Sequence, residues 1–267
     1  LIDHSVNYLY ERKKNDTYPI HQNLKLLLSS SGSTGSPKLV RLSAKNLQEN
    51  AASIASYLKI KKTDKAITSL PLHYSFGLSV LNSFLEVNAK VVLTNYSLIN
   101  RGFWETFREQ EVSFLAGVPF SFDILSQLHF QKMNIPTLTC LVLAGGSLAL
   151  DKVKFFEKEA RVKKTDFYIM YGQTEATARI SYVPPERLQD KFGSIGIAIP
   201  GGKLYLKLDS DNSKEGELIY EGPNVMLGYA NSLADLALGD KMHGQLQTGD
   251  IAKKDEDGIY EYFYDEF

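Results

Sequence analysis

A segment rich in serine and glycine contains the residue types that bind phosphate. Residues 29–38 read Ser-Ser-Ser-Gly-Ser-Thr-Gly-Ser-Pro-Lys and follow the apolar run 24–28. Glycines let a backbone approach an oxyanion, hydroxyl groups donate hydrogen bonds to it, and lysine adds positive charge. This is not a Walker loop, because Pro37 precedes Lys38 and the following residues resemble a strand rather than a helix. Alone, the segment is compatible with a phosphate loop or with a turn between two strands.

A pair of glycines after another apolar run is a second candidate for ligand binding. Gly145 and Gly146 follow the run Leu-Val-Leu at 141–143, and Ser147 comes next. If this run is a parallel strand, the glycines lie at its carboxyl end, where α/β proteins bind ligands. The alternative is an ordinary turn before a helix that starts near Asp151.

Five segments, taken in order along the chain, resemble the signatures of the adenylate-forming superfamily, which contains acyl- and aryl-CoA synthetases, luciferases and adenylation domains. The first is 30–38, similar to the family's phosphate loop, and the second is Tyr-Gly-Gln-Thr-Glu at 171–175. The others are Gly-Ser-Ile-Gly at 193–196 with Pro-Gly at 200–201, Gly-Glu-Leu at 216–218 with Gly-Pro-Asn-Val-Met-Leu-Gly-Tyr at 222–229, and Thr-Gly-Asp at 248–250. Because coincidence across five ordered segments is implausible, the chain is identified as a member of this family over residues 24–262.

The resemblance implies an enzyme, an AMP-forming acid–thiol ligase of the acyl-CoA synthetase type. A carboxylate joins the α-phosphate of ATP, pyrophosphate leaves, and the acyl group passes from AMP to the thiol of CoA or of a carrier protein. Since a carboxylate must approach a triphosphate, the site needs hydrogen-bond donors and Mg²⁺ to neutralise the developing charge. The resemblance assigns these residues of the first segment to the phosphates: Ser30, Ser31, Gly32, Ser33, Thr34, Gly35 and Lys38.

The second segment carries the residues expected at the centre of the site. The resemblance assigns the ring of Tyr171 to adenine, the hydroxyl of Thr174 to the α-phosphate and the carboxylate of Glu175 to Mg²⁺. An aromatic plane, a donor and a hard anionic ligand suit these roles. Gly172 and Gln173 of the same segment are also expected to contact ATP. Without the other segments, Tyr171 would be a core aromatic residue and Glu175 a solvated charge.

Two further segments are expected to hold the nucleoside. Gly145, Gly146 and Ser147 would let adenine lie flat against a backbone that lacks bulky side chains. Asp250 would accept hydrogen bonds from both ribose hydroxyls through its two carboxylate oxygens, although in isolation its Thr-Gly-Asp segment is only a turn. The residues expected to take part in catalysis are Lys38, His73, Thr174 and Glu175.

Residues 71–80 fall where the family places the segment beside the acyl cavity. His73, Phe76 and Gly77 are expected to contact the substrate, although a lone histidine is often structural. Many members place an aromatic residue before the histidine, whereas here His73 precedes Tyr74. Amino-acid-activating members carry an aspartate in Phe-Asp-x-Ser-Val that pairs with the substrate ammonium, where this chain has Gly77. The substrate is therefore predicted to be a carboxylic acid without a free α-amino group.

Alternating strands and helices must position these segments. From residue 24, short apolar runs alternate with segments of helical period, a pattern typical of parallel βαβ architecture. The predicted strands are 24–29, 38–42, 90–94, 112–116, 139–144 and 167–171, and the predicted helices are 44–58 behind the N-cap Ser43 and 151–160. Beyond residue 185, turn-rich segments between runs of strand length favour β hairpins.

The predicted fold class is α/β, a mostly parallel βαβ subdomain followed by a smaller β-rich one, both belonging to the large domain of an adenylate-forming enzyme. We divide the chain into a lead-in segment 1–23, an α/β nucleotide-binding subdomain 24–190 and a β-rich subdomain 191–267 that completes the ATP site. The family's long N-terminal stretch and its mobile C-terminal domain, with the hinge arginine and a catalytic lysine, are expected to be missing from these 267 residues.

Composition excludes several other classes. Hydrophobic residues make up 43% and charged residues 23%, as in a globular protein rather than a disordered or fibrous one. A net charge of -1 gives no broad electrostatic basis for a nucleic-acid or anionic-membrane partner. No apolar stretch approaches the roughly 20 residues of a bilayer span, and the single Cys140 favours a reducing compartment. A cytoplasmic protein is predicted, and an acyl carrier protein is a candidate partner.

Three hypotheses about function remain open at this point. The chain belongs to an acyl-CoA-synthetase-like ligase and is nearly inactive by itself, or it is a nucleotide-binding or scaffold protein of the same fold without catalysis. The third hypothesis is a structural α/β domain without a ligand. The presence of Lys38, Thr174, Glu175 and Asp250 together argues against the third.

Overall fold

The computed structural model describes residues 18–30, 38–208, 210 and 213–262. The strands are β1 (Leu24–Ser29), β2 (Leu39–Ser43), β3 (Lys65–Ile67), β4 (Lys90–Val92), β5 (Phe114–Gly117), β6 (Cys140–Leu143), β7 (Asp166–Tyr171), β8 (Ser181–Val183), β9 (Ser194–Ala198), β10 (Lys203–Leu208), β11 (Glu215–Glu221), β12 (Gly228–Ala230), β13 (Gln245–Lys254) and β14 (Tyr260–Tyr262). The α-helices are α1 (Ala44–Tyr57), α2 (Ser75–Glu86), α3 (Arg101–Glu109), α4 (Pro119–Gln127) and α5 (Leu150–Val162). Short 3-10 turns cover Phe130–Lys132, Thr174–Ala176, Pro185–Arg187 and Leu233–Ala237.

The larger sheet has a parallel half that separates two hydrophobic cores. Its strands lie in the order β4-β3-β5-β6-β7, and every neighbouring pair is parallel. Successive side chains of a strand point to opposite faces, so Leu141 and Leu143 enter one core and Val142 the other. Helices α3, α4 and α5 pack on the first face, for example through Phe156, and α1 and α2 pack on the second, for example through Phe84.

The other strands are antiparallel to their neighbours. β8 and β9 extend the sheet beyond β7, and β14, β13, β11 and β10 continue it. β1 and β2 pair antiparallel, and the phosphate-loop segment lies between them in the sequence. β12 pairs with β2 to complete a separate three-stranded sheet. This pairing brings residues 228–230 beside the hairpin, although the two are distant in sequence.

Local sequence signals explain where α1 and α5 form. α1 begins at a capping box, in which Ser43 Oγ accepts from Asn46 N at 3.1 Å and Asn46 Oδ1 accepts from Ser43 N at 2.9 Å. Ala51 and Ile54 of α1 and Phe156 of α5 are buried, as one face of each helix packs on the sheet. The predicted α/β class is confirmed. The parallel arrangement begins only at β3, because no crossover helix separates β1 from β2 and such a pair can only be antiparallel.

The sheet continues across the predicted subdomain boundary. β8 ends before residue 190 and β9 begins after it, yet Ser181 and Tyr182 of β8 pair with Ala198 and Ile197 of β9. The division into subdomains stays a prediction. Within the described ranges, no helix is both long enough and apolar enough to cross a lipid bilayer.

Candidate active site

The carboxyl ends of β6 and β7 form one edge of the parallel half, and the backbone after β6 is open there. Gly145 and Gly146 have φ angles of 79° and 148°, a region that favours glycine. A Cβ on Gly145 would lie 3.2 Å from Val118 Cγ1, and one on Gly146 would lie 3.2 Å from Pro119 Cγ. Both glycines and Ser147 are exposed. The segment therefore offers a flat backbone surface, while its contact with adenine stays a prediction.

A tight turn after β7 presents Thr174 and Glu175. Gly172 is required there, because a Cβ would lie 1.9 Å from the carbonyl oxygen of Ala178. Thr177 ends the turn with a φ of 66°, which is unusual for a β-branched residue, and its Oγ1 donates to a backbone carbonyl at 2.6 Å. Strained backbone of this kind persists where the surrounding structure holds it, and it is common at functional sites.

Asn224 holds this turn from the opposite side. Its side chain is buried, and Nδ2 donates to the carbonyl oxygens of Ala176 at 2.8 Å and Arg179 at 2.9 Å. The neighbouring Met226 N donates to the carbonyl oxygen of Glu175 at 2.8 Å. Buried amides with satisfied partners rigidify a backbone. The family-like segment 222–229 thus supports the turn that carries the predicted catalytic pair.

Thr174 and Glu175 are joined to two other elements by their side chains. Thr174 Oγ1 lies 3.2 Å from Ser75 Oγ at the start of α2, and Tyr229 OH donates to Glu175 Oε1 at 2.8 Å. Lys38 Nζ lies 5.4 Å from the ring centroid of Tyr229, within cation–π range. Burial, and secondly the bond to Glu175, raise the pKa of the Tyr229 hydroxyl, which therefore stays protonated. Lys38, Tyr229 and Glu175 form a row between the β1–β2 hairpin and the turn.

Tyr229 is a site residue that the sequence reasoning missed. Its only signal was the Gly-Tyr pair that ends the segment 222–229. The fully buried Arg41 of β2 keeps this pair in place, since Nε donates to the Tyr229 carbonyl oxygen at 3.2 Å and one terminal nitrogen donates to that of Leu227 at 3.0 Å. Gly228 has a φ of 126°, and a Cβ there would lie 3.0 Å from the same guanidinium.

Asp250 accepts hydrogen bonds from side chains of the family-like segment 171–175. Tyr171 OH donates to Asp250 Oδ2, and Gln173 Nε2 donates to the same oxygen at 2.9 Å. Gln173 Nε2 also lies 3.0 Å from the carbonyl oxygen of Thr248, which it can bond as well. The fold thus brings together Tyr171, Gln173 and Asp250. The ribose role of Asp250 stays a prediction, and one of its oxygens already accepts bonds from these neighbours.

The two ends of the phosphate-loop segment meet at the base of the β1–β2 hairpin. Ser30 N donates to the carbonyl oxygen of Lys38 at 3.1 Å, and the Lys38 side chain is exposed. The predicted phosphate contacts of the intervening residues lie outside the described part of the chain; these residues are Ser31, Gly32, Ser33, Thr34 and Gly35.

The predicted acyl segment forms the approach to α2 and its first turn. His73 is exposed, and its ring packs on that of Tyr74 with centroids 4.3 Å apart. Gly77 is required by packing, because a Cβ would lie 2.3 Å from the carbonyl oxygen of Pro71. An aspartate at this position would displace the backbone of 70–71. A narrow cleft beside Gly77 is lined mostly by apolar residues, which are Ile67, Leu70, Leu72, Val80, Leu81, Val91 and Ala116, together with Thr68 and Ser69.

The parallel sheet and the segments at its carboxyl edge are those of a protein of the adenylate-forming type. The chain belongs to the AMP-binding enzyme family, which matches residues 7–230. This confirms the family and the fold class predicted from the sequence.

Two curated relatives and one solved structure illustrate the similarity. The chain is 30% identical over 239 residues to the 2-succinylbenzoate–CoA ligase of Bacillus velezensis, covering 87% of this chain and 47% of that protein. It is 31% identical over 253 residues to the long-chain-fatty-acid–CoA ligase of Salmonella typhimurium, covering 90% and 44%. The O-succinylbenzoate coenzyme A synthetase of Bacillus subtilis, in complex with ATP and magnesium ion, matches with a TM-score of 0.75 at 27% identity over 88% of this chain and 49% of that one. The chain spans about half the length of these relatives.

Proposed function

We propose that the chain is the ATP-binding part of an AMP-forming acid–thiol ligase. This enzyme activates a carboxylic acid as its acyl-adenylate and transfers the acyl group to a thiol. The observation that carries the proposal is the rigid turn after β7, which places Thr174 beside Ser75 and Glu175 beside Tyr229. The CoA ligases among the relatives support the same reaction class.

The side chains of the turn suit the charges that this reaction must control. The hydroxyl of Thr174 donates to the α-phosphate as the carboxylate approaches, and Lys38 adds positive charge for the remaining phosphates. Bound Mg²⁺ would neutralise phosphate charge. Glu175 fits this ion, which is commonly held by one or two carboxylates together with substrate phosphates and water. Among the described residues, no cluster of three His, Cys, Asp or Glu side chains could hold a metal ion by itself.

The proposal also specifies the class of carboxylic acid and the thiol that accepts the acyl group. The acid carries no free α-amino group, because the first turn of α2 has no carboxylate at Gly77 and packing leaves no room for one. CoA is the proposed acceptor, since the relatives use it by name, and the thiol of a carrier protein is the alternative. A cytoplasmic location follows from the single Cys140 and remains part of the proposal.

Pyrophosphate exchange and mass spectrometry of acyl-AMP test the proposal with the full-length protein, ATP, Mg²⁺ and a panel of carboxylic acids. Thr174→Val should slow acyl-AMP formation by about 100-fold, because it removes a donor aimed at developing charge. Thr139→Val is the matched control, since its exposed hydroxyl donates to the carbonyl oxygen of Ser113 at 3.2 Å beside the amino end of β6. ATP binding without acyl-AMP from any acid would refute the proposal and favour a nucleotide-binding scaffold.

Residues 1–267 alone are expected to form acyl-AMP about 10²–10³-fold more slowly than the full-length protein. The resemblance places a further catalytic lysine in a mobile domain, and removal of one preorganised contact to the transition state commonly costs this much. Equal rates for residues 1–267 and the full-length protein would contradict this expectation.

A further inference from the structure

Arg179 is a buried cation that lies directly beyond the turn after β7. The residue is 3% exposed, and among the described residues no Asp or Glu forms an ion pair with its guanidinium. Burial of a charge without a partner is costly in a protein interior. A cation in this position therefore needs an explanation, which a ligand of opposite charge would supply.

The neighbours of the Arg179 guanidinium are weak partners for it. Its Cζ lies 3.9 Å from the ring centroid of Phe76, and its Nε donates to Met170 Sδ at 3.1 Å. A thioether is a weak acceptor, whereas a guanidinium carries five N–H donors in a planar fork that matches a carboxylate. Tyr57 forms a side-chain hydrogen bond with the guanidinium but brings no carboxylate to balance its charge.

Arg41 shows how the same fold provides hydrogen-bond acceptors for a buried arginine with a structural role. It is fully buried as well, but its nitrogens donate to the carbonyl oxygens of Leu227 at 3.0 Å, Tyr229 at 3.2 Å and Gly239 at 3.2 Å. These bonds connect β2 to the chain around β12. Arg179 has no comparable set of carbonyl acceptors among the described residues. The two buried arginines therefore differ in that backbone carbonyls hold the guanidinium of Arg41 but not that of Arg179.

Phe76 places Arg179 at the wall of the candidate active site. Its chain neighbour Ser75 contacts Thr174, and a Cβ on Gly145 would lie 3.8 Å from Phe76 Cδ1. The ring of Phe76 thus lies against the guanidinium and close to Gly145, and the adjacent Ser75 contacts the hydroxyl proposed for the α-phosphate. An acid whose reacting carboxylate lies at Thr174 would therefore lie beside the start of α2, where Phe76 contacts Arg179.

We propose that Arg179 is a specificity-determining residue that binds a second carboxylate of the substrate, which is therefore a dicarboxylic acid. This inference rests on the proposed function, since it concerns the acid that the same site activates. A bidentate pair with a carboxylate would complete the hydrogen bonding of the guanidinium. The same cation repels the ammonium group of an amino acid, which agrees with the lack of a carboxylate at Gly77.

Matched pairs of acids test the proposal with the full-length protein. Octanoate is compared with octanedioate, and benzoate with terephthalate, by kcat/KM for acyl-AMP formation. We expect a preference for the diacid in at least one pair. Arg179→Met should lower kcat/KM for that diacid by about 100-fold, because two charge-assisted hydrogen bonds are lost, and should change the monoacid value little. Arg187→Met is the control, since this partly exposed arginine pairs with Asp257 at 3.1 Å.

Thermal denaturation separates this role from a structural one. If the role of Arg179 is to bind a ligand, Arg179→Met should leave the Tm of the unliganded protein unchanged or raise it. The preferred diacid should raise the Tm of the unaltered protein, and Arg179→Met should abolish that rise. A lower Tm together with equal losses for monoacid and diacid would overturn the inference while acyl-AMP formation still supports the proposed function. If no acid yields acyl-AMP, the proposed function fails. In that case, a rise in Tm that the diacid causes only when Arg179 is present still supports diacid binding at Arg179. If the diacid causes no such rise, the inference about Arg179 is overturned.

Discussion

Replacement of Tyr229 by phenylalanine removes the hydroxyl that donates to Glu175 Oε1 at 2.8 Å and keeps the ring near Lys38 Nζ. A hydrogen bond to a charged acceptor contributes about 1.5–3 kcal/mol, which corresponds to about 10–100-fold in an equilibrium constant. Partners that orient a metal ligand change metal affinity by a similar factor. Because Glu175 is the carboxylate proposed for Mg²⁺, Tyr229→Phe should raise the Mg²⁺ concentration needed for half-maximal activity by about 10–100-fold.

The assay is pyrophosphate exchange at saturating acid, with Mg²⁺ varied at a fixed concentration of ATP. Tyr205→Phe is a matched control, because Tyr205 OH donates to Glu221 Oε1 at 3.0 Å on the edge strand β10, far along the sheet from β7. An unchanged Mg²⁺ dependence in Tyr229→Phe would refute the reasoning. A loss of rate that added Mg²⁺ does not restore would also count against it, since it would show that the hydroxyl acts on something other than the metal ligand.

Asp250→Ala should weaken ATP binding by about 30-fold or more, because the carboxylate proposed for the ribose is lost; an unchanged Kd by calorimetry would contradict that assignment. Gly77→Ala should reduce the free energy of unfolding by about 1–3 kcal/mol, since the new Cβ would lie 2.3 Å from the carbonyl oxygen of Pro71. Gly239→Ala, where the nearest atom lies 3.6 Å away, should be milder, and equal urea midpoints would argue against the steric account. Burial raises the pKa of Tyr220, so the native state keeps a proton that the unfolded chain releases above about pH 10. The contribution of Tyr220 to the free energy of unfolding should therefore be constant below that pH and fall above it. The free energy of unfolding should then fall less steeply above about pH 10 in Tyr220→Phe than in the unaltered protein, and parallel falls would rule out this contribution.

Several elements could be predicted because their signals are local. The apolar run 24–28 and the following serine became β1, with the bounds Leu24–Ser29, and the N-cap Ser43 marked the start of α1. Strand ends were less predictable: residues 112–116 were expected where β5 covers Phe114–Gly117. A strand ends where its hydrogen-bonded neighbour ends, and that neighbour is often far away in sequence. For the same reason the separate sheet of β1, β2 and β12 had no signal in the sequence.

The sequence by itself determined the family and the residue types at the proposed site. Each family-like segment is a short run of glycines, hydroxyls and carboxylates, whose chemistry can be recognised without knowledge of its neighbours. Only the tertiary structure decided which of these groups meet: Tyr229 reaches Glu175, and Gln173 bonds Asp250. It also decided that Arg179 is buried among side chains that offer it no carboxylate. The physical reason is that such contacts depend on strand register and burial, and a shift of one residue in register would turn each side chain to the opposite face of its sheet.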